Sequence, residues 1–167
     1  MWSRRFSTAL ILITILSCVG CTRWDNYSSD LVKSFKKDIM HGFPEIQTFN
    51  VKYSVPAVRF SFKMSNDTDP DRIVQIFKQT RTFFKSKEFQ KEFFEKYFAV
   101  RKSRGSGDIK YYPEVNIAFY ADGDKVVNYW YRSCYETIID PAKGNRILNY
   151  EVWTLQKQDG SIETVDY

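Results

Sequence analysis

The stretch Val58–Phe84, VRFSFKMSNDTDPDRIVQIFKQTRTFF, decides the fold. Val58, Phe60, Phe62 and Met64 alternate with Arg59, Ser61 and Lys63. Apolar residues at period two with charges between them predict a strand buried on one face. The period then changes. Ile73, Ile76 or Phe77, Thr80 and Phe84 recur at helical spacing along one side. Asp69 suits the N-cap, and Pro70 falls at the first helical position, where a missing N–H costs nothing. A half-buried strand handing on to an amphipathic helix implies a sheet covered on one face by helices.

The same two periods extend outward. Upstream, Leu31, Phe35 and Ile39 form a helical stripe within Ser29–His41, with Ser28 or Ser29 as cap and Gly42 and Pro44 as stop. Gln47, Phe49, Val51 and Tyr53 alternate as a strand, and Pro56 sits in the connection that follows. Downstream, Phe89, Phe93 and Tyr97 continue the helix, with Ser86 as a restart and Glu92–Lys96 as an i,i+4 pair. Arg101–Asp108 reads as a loop.

The remainder is rich in strands. Val115, Ile117 and Phe119 alternate; Ala121–Asp124 is a turn; Val126–Glu136 returns. Asp140–Asn145 is a second turn, and Ile147–Lys157 a further strand. Asp159-Gly160 reads as a two-residue hairpin turn leading into Ile162–Asp166. The expectation is one α+β domain over residues 29–167, an antiparallel sheet of about five to six strands with two or three helices packed on one face. That element order is similar to cystatin-like and related cone-shaped folds, in which a curved sheet holds helices in its concave side. The likeness implies architecture and carries no function.

The chain opens MWSRRFSTALILITILSCVGC. Arg4 and Arg5 precede an apolar run from Ala9 to Leu16, and small residues follow, the order of a secretory signal peptide. The run is well short of the roughly 20 apolar residues a membrane span needs. Cys18-Val19-Gly20-Cys21 resembles the lipobox of bacterial lipoprotein precursors. The resemblance implies cleavage before Cys21 and a diacylglycerol on its sulfur. Ile15-Leu16-Ser17-Cys18 is the alternative frame, with Cys18 acylated; Gly20 favours Cys21. On this reading residues 1–20 are a signal peptide and 21–28 a tether, whose Trp24 and Tyr27 suit a membrane interface or a plain linker. The protein is then extracytoplasmic in the cell envelope, with a bacterial membrane as partner through its N-terminal lipid.

The cysteines bound the redox chemistry. If Cys21 is acylated, Cys134 has no cysteine left to pair with; if Cys18 is, Cys21 and Cys134 can form a disulfide. Neither case makes a disulfide framework, so the fold must hold by its core. With 14 Phe, 11 Tyr and 43% hydrophobic residues, such a core is available. The formal charge of +5 falls to +3 without Arg4 and Arg5, too little to argue for nucleic acid.

His41 is the sole histidine. A multi-histidine metal site is therefore excluded, and no metal or other cofactor is expected. A Cys134–His41 nucleophile and base would need a coincidence of the fold. The simpler reading puts His41 at a helix C-terminus and Cys134 in mid-strand as a small buried thiol. Asp67–Asp71 begins like a calcium loop but has Arg72 where Gly and Lys78 where Glu are needed. RGSGD (Arg104–Asp108) lacks the Gly-Lys-Ser/Thr ending of a phosphate loop. Residues 70–104 carry ten Lys/Arg against four Asp/Glu, a solvated helix face or a surface for anionic lipid or wall polymer.

The aromatics offer the one candidate binding surface. In a strand, Trp130 points opposite to Tyr129 and Tyr131, and Tyr135 resumes the tyrosine side. Tyr129, Tyr131, Tyr135 and Trp153 are taken as the face that can bind a partner, the alternative being that both faces are covered or that the sheet curls over its own aromatics. Three functions follow as expectations. The first is a non-catalytic, membrane-tethered binding or envelope-assembly module, with an envelope protein as partner. The second is a small-molecule pocket protein lined by Phe and Tyr. The third is an envelope enzyme using Asp, Glu, Tyr or Lys, although no motif selects a catalytic residue.

Overall fold

The computed structural model describes residues 23–103, 111–121, 127–140 and 144–165. The lipobox cysteines, Gly105–Asp108, residues 122–124 of the first expected turn and 141–143 of the second lie outside them.

Seven strands form one sheet: β1 (Asp25–Asn26), β2 (Ile46–Tyr53), β3 (Ala57–Met64), β4 (Glu114–Tyr120), β5 (Val127–Ser133), β8 (Trp153–Lys157) and β9 (Ile162–Val165), side by side in that order. β6 (Tyr135–Asp140) and β7 (Gly144–Asn149) make a separate antiparallel ribbon. Among the described residues three helices accompany them: α1 (Asp30–Gly42), α2 (Pro70–Lys85) and α3 (Lys87–Ser103). The α+β class is as expected, with a larger strand count.

Neighbouring strands are antiparallel except β3 and β4, which run parallel. The exception follows from connectivity. A parallel pair needs a long crossover, and α2 and α3 supply it.

The local signals act where their chemistry directs. Ser29 caps α1, its side chain accepting from Val32 N at 3.3 Å. Asp69 caps α2, accepting from Asp71 N at 2.9 Å, with Pro70 in the first turn. The break between α2 and α3 is Ser86, at ψ 140°, whose Oγ accepts from Phe89 N at 3.3 Å and so starts the second helix. Two helices, not one kinked helix, therefore follow β3.

Four details depart from the sequence reading. A register shift between Ile46 and Thr48 puts Ile46 in the core and leaves Gln47 exposed. On α1, Val32 and Ile39 are buried, with Phe35 half-buried, so the stripe sits one residue away from Leu31. The strands expected over 126–136 and 147–157 are each broken, at Cys134 and at Tyr150. Tyr150 adopts a φ of 55°, held there by its hydroxyl donating to the Pro113 carbonyl at 2.9 Å and its own carbonyl accepting from Trp153 Nε1 at 2.9 Å. The β8–β9 connection is Gln158–Gly160, with Gly160 at φ 87°, the form of a three-residue hairpin loop in place of a two-residue one.

The core lies between the helices and one sheet face. Phe49, Phe60, Phe62, Phe77, Phe84 and Phe89 are all essentially inaccessible. Phe77 stacks on Tyr131 at 3.9 Å between centroids, and Phe35 on Phe83 at 4.1 Å. Such pairs contribute about 0.5–1.5 kcal/mol each beyond their buried area.

Candidate functional site on the open sheet face

The strand parity assigns each side chain to a face. Phe49, Val51, Tyr53, Phe60, Ile117, Tyr131 and Leu155 point to the helices and are buried. Asn50, Lys52, Arg59, Ser61, Lys63, Trp130 and Arg132 occupy the other face, which no helix among the described residues covers.

The expected aromatic surface is placed otherwise. Tyr131 is 1% exposed and Trp153 0%, both against Phe77 of α2. Neither lies on an exposed patch, because β5 and β8 turn these rings toward the helix layer. Tyr129 and Tyr135 are half-buried, and Tyr135 stacks on Tyr112 at 4.0 Å. The four residues do not form one surface. The aromatic that β5 places on the open face is Trp130. Its neighbours Asn128 and Arg132 were the signal, since polar flanks at period two mark the solvent side of a half-buried strand.

Trp130 organises that face. It stands opposite Ala118 in register, and its Nε1 donates to Asn116 Oδ1 at 2.6 Å. This explains why Asn116 and Ala118, on the helix-free face, are 3% and 1% exposed. The Arg59 guanidinium lies 4.5 Å from the Trp24 ring centroid and 5.8 Å from that of Trp130. Arg132 lies 5.1 Å from Trp130. Cation–ring contacts of this kind contribute about 0.5–1 kcal/mol each when exposed.

The charges differ in how they are met. Arg132 grips Glu114 with two bonds, at 2.9 and 3.3 Å, and that pairing pushes the guanidinium pKa up. Arg59 and Lys52 have no carboxylate within ion-pair distance among the described residues. Arg59 Nε is buried and lacks a hydrogen-bond partner among them. A trough of about 380 Å³ opens here, with Trp24, Lys52, Arg59 and Lys63 in its wall. Among the described residues its remaining wall is neutral, with Ser61 and Tyr120 among the contributors and no carboxylate.

The N-terminal segment is locked to the sheet immediately after Trp24. Asp25 and Asn26 pair with Tyr53 and Lys52. Tyr27, expected in the tether, is 3% exposed, and its hydroxyl donates to Glu92 of α3 at 2.8 Å. Burial first, and the Glu92 carboxylate second, push the Tyr27 phenol well up.

His41 and Cys134 are not brought together. His41 ends α1 near Ile46, at the sheet end where Ile46 faces Met64 and Lys63 faces Tyr120. Cys134 follows Ser133, which faces Val115 at the opposite end. The length of β5 separates them, roughly 20 Å at strand rise. Cys134 is exposed, at the joint of β5 and β6, instead of buried in mid-strand. Asp69 serves as a helix cap, and no group of metal-ligating side chains occurs among the described residues.

The fold and site define an α+β chain with a filled helix–sheet core and a cationic, tryptophan-bearing outer sheet face. No protein-family model, curated protein or solved structure matches it.

Proposed function

We propose that this protein is a membrane-tethered extracytoplasmic lipoprotein acting as a non-catalytic binding or envelope-assembly module. The lipobox-like Cys18-Val19-Gly20-Cys21 supplies the anchor on this reading. The observation that carries it is the short leash. Three peptide steps separate Cys21 from Trp24, a reach of at most about 11 Å, and the chain is paired into the sheet directly afterwards. A lipid at Cys21 would thus hold the β1 edge and the open face against the membrane surface, with little freedom to tumble. The small-molecule reading is less favoured, because aromatic rings fill the layer between helices and sheet.

The test is the intact mass of the protein isolated from its native membrane, beside a Cys21→Ser variant. A diacylglycerol-bearing chain beginning at Cys21, lost in the variant, is the expected result. A chain beginning at Cys18 would keep the anchor and move its site. An unmodified chain would overturn the reading.

A further inference from the structure

We propose that the trough on the open sheet face is a binding site for a phosphate group, held between Lys52 and Arg59 with Lys63 at its rim. The first observation is register. Lys52 and Arg59 are direct cross-strand partners on one face of β2 and β3. Like charges so placed repel, and sequences ordinarily avoid the arrangement or answer it with a carboxylate. Here the flanking register partners are Asn26 beside Lys52 and Asn116 beside Arg59, both neutral. Glu114, an acid that β4 places on that face, is already held by two bonds from Arg132.

The second observation is the state of Arg59. Its guanidinium is fixed beside Trp24 and Trp130, and its Nε lies buried with no partner among the described residues. Arg59 as a whole is half-buried, but a buried donor left unanswered on a cation is costly, and an anion would complete it. Guanidinium is the group whose fork of donors matches phosphate oxygens, and a neighbouring ammonium adds a point charge. Ser61 and Tyr120 supply hydroxyls within the same trough. The volume, about 380 Å³, exceeds what a bare ion needs and admits a phosphate ester.

Two sources present this chemistry, a free phosphate ester and the headgroup of an anionic lipid. The site itself does not depend on the anchor. Only the headgroup source does, since the short leash is what would bring Trp24 to the membrane surface.

The experiment is isothermal titration calorimetry of the full chain in neutral maltoside micelles. The probes are inorganic phosphate, glycerol 3-phosphate and dihexanoyl phosphatidylglycerol. Saturable binding of at least one probe is expected, weakened about tenfold or more by Arg59→Gln and by Lys52→Gln. A Lys36→Gln/Lys37→Gln variant removes two exposed cations from α1, on the helix side, and should change affinity less than about twofold. Lys52 is exposed, so its variant remains informative if Arg59→Gln folds poorly. Binding of inorganic phosphate or glycerol 3-phosphate assigns a free ester; binding of the lipid alone assigns a headgroup. No saturable binding of any probe, or equal weakening by the α1 variant, would overturn the site. A negative lipid-anchor mass leaves the two soluble probes as valid tests.

Discussion

Lys52 and Arg59 face each other across β2 and β3 on the helix-free side of the sheet, and neither meets a carboxylate among the described residues. The pair works against folding unless an anion is bound. Lys52→Gln should therefore raise stability by a few tenths up to about 1 kcal/mol at low ionic strength. Phosphate should raise the melting temperature of the parent chain by mass action, and raise that of the variant less. Melts in neutral buffer with and without phosphate check both. A Lys52→Gln chain that melts lower, with an unchanged phosphate response, would contradict this account.

The two sheet faces should respond very differently to truncation. Phe77 stacks on Tyr131 and meets Trp153 edge-on, all three buried. Phe77→Ala should cost about 3–5 kcal/mol through lost burial and the cavity left behind. Trp130→Phe keeps a ring on the open face but removes the bond to Asn116, a cost of about 1–2 kcal/mol. Urea midpoints of the two variants measure the difference. Comparable losses would mean that the open face is part of the core.

What was legible in the sequence is what neighbouring residues decide among themselves. Alternation at Val58–Met64 and the Asp69-Pro70 cap needed no partner to be read. The parallel β3–β4 pairing did, because periodicity does not say which strand lies beside which. The breaks at Cys134 and Tyr150 carry no Gly or Pro, and Tyr150 keeps its positive φ through distant bonds to Pro113 and Trp153. Arg59 and Lys63 were readable as outward residues. That Lys52 opposes Arg59 depends on register, and Trp24 reaches them only through the pairing of β1. Tyr131 and Trp153 were assigned to the wrong face for a related reason: parity separates two faces without saying which one the helices take.

Arg72 clasps the end of α1 to the start of α2. Its Nε donates to Glu45 at 2.7 Å, its Nη2 to the Gly42 carbonyl at 3.2 Å, and its guanidinium lies 4.4 Å from the Phe43 ring centroid. Burial alone would raise the Glu45 pKa; the Arg72 bond, a backbone hydrogen bond and the Arg72 charge together outweigh it and hold the carboxyl below its ordinary range. A carboxyl lowered on folding adds stability above its unfolded pKa, near 4.3, and that stability is lost as pH falls through the folded value. With Arg72 partly exposed, the contribution at neutral pH is discounted to about 1 kcal/mol. Glu45→Gln should thus melt below the parent at pH 7, and the gap should close as the pH falls through the lowered folded value. A gap independent of pH would assign the effect to packing instead of charge.

Cys134 is exposed, and its chemistry depends on whether the chain around Cys21 can reach it. The chain enters β1 at the sheet end where Cys134 stands, since Asp25 faces Tyr53 and Ser133 faces Val115. Between β1 and β5 stand four strand spacings, roughly 19 Å. From Trp24 the three residues back to Cys21 span at most about 11 Å, and a disulfide bridges about 6 Å between Cα atoms. The reach falls short even with the backbone fully extended. Cys134 should therefore react with a maleimide in the folded, unreduced protein, whichever cysteine carries lipid. Cys134→Ser should shift stability by less than about 0.5 kcal/mol, as surface substitutions do. Labelling that requires reduction, and is restored by Cys21→Ser, would mean that β1 detaches from β2 far enough to allow the pairing.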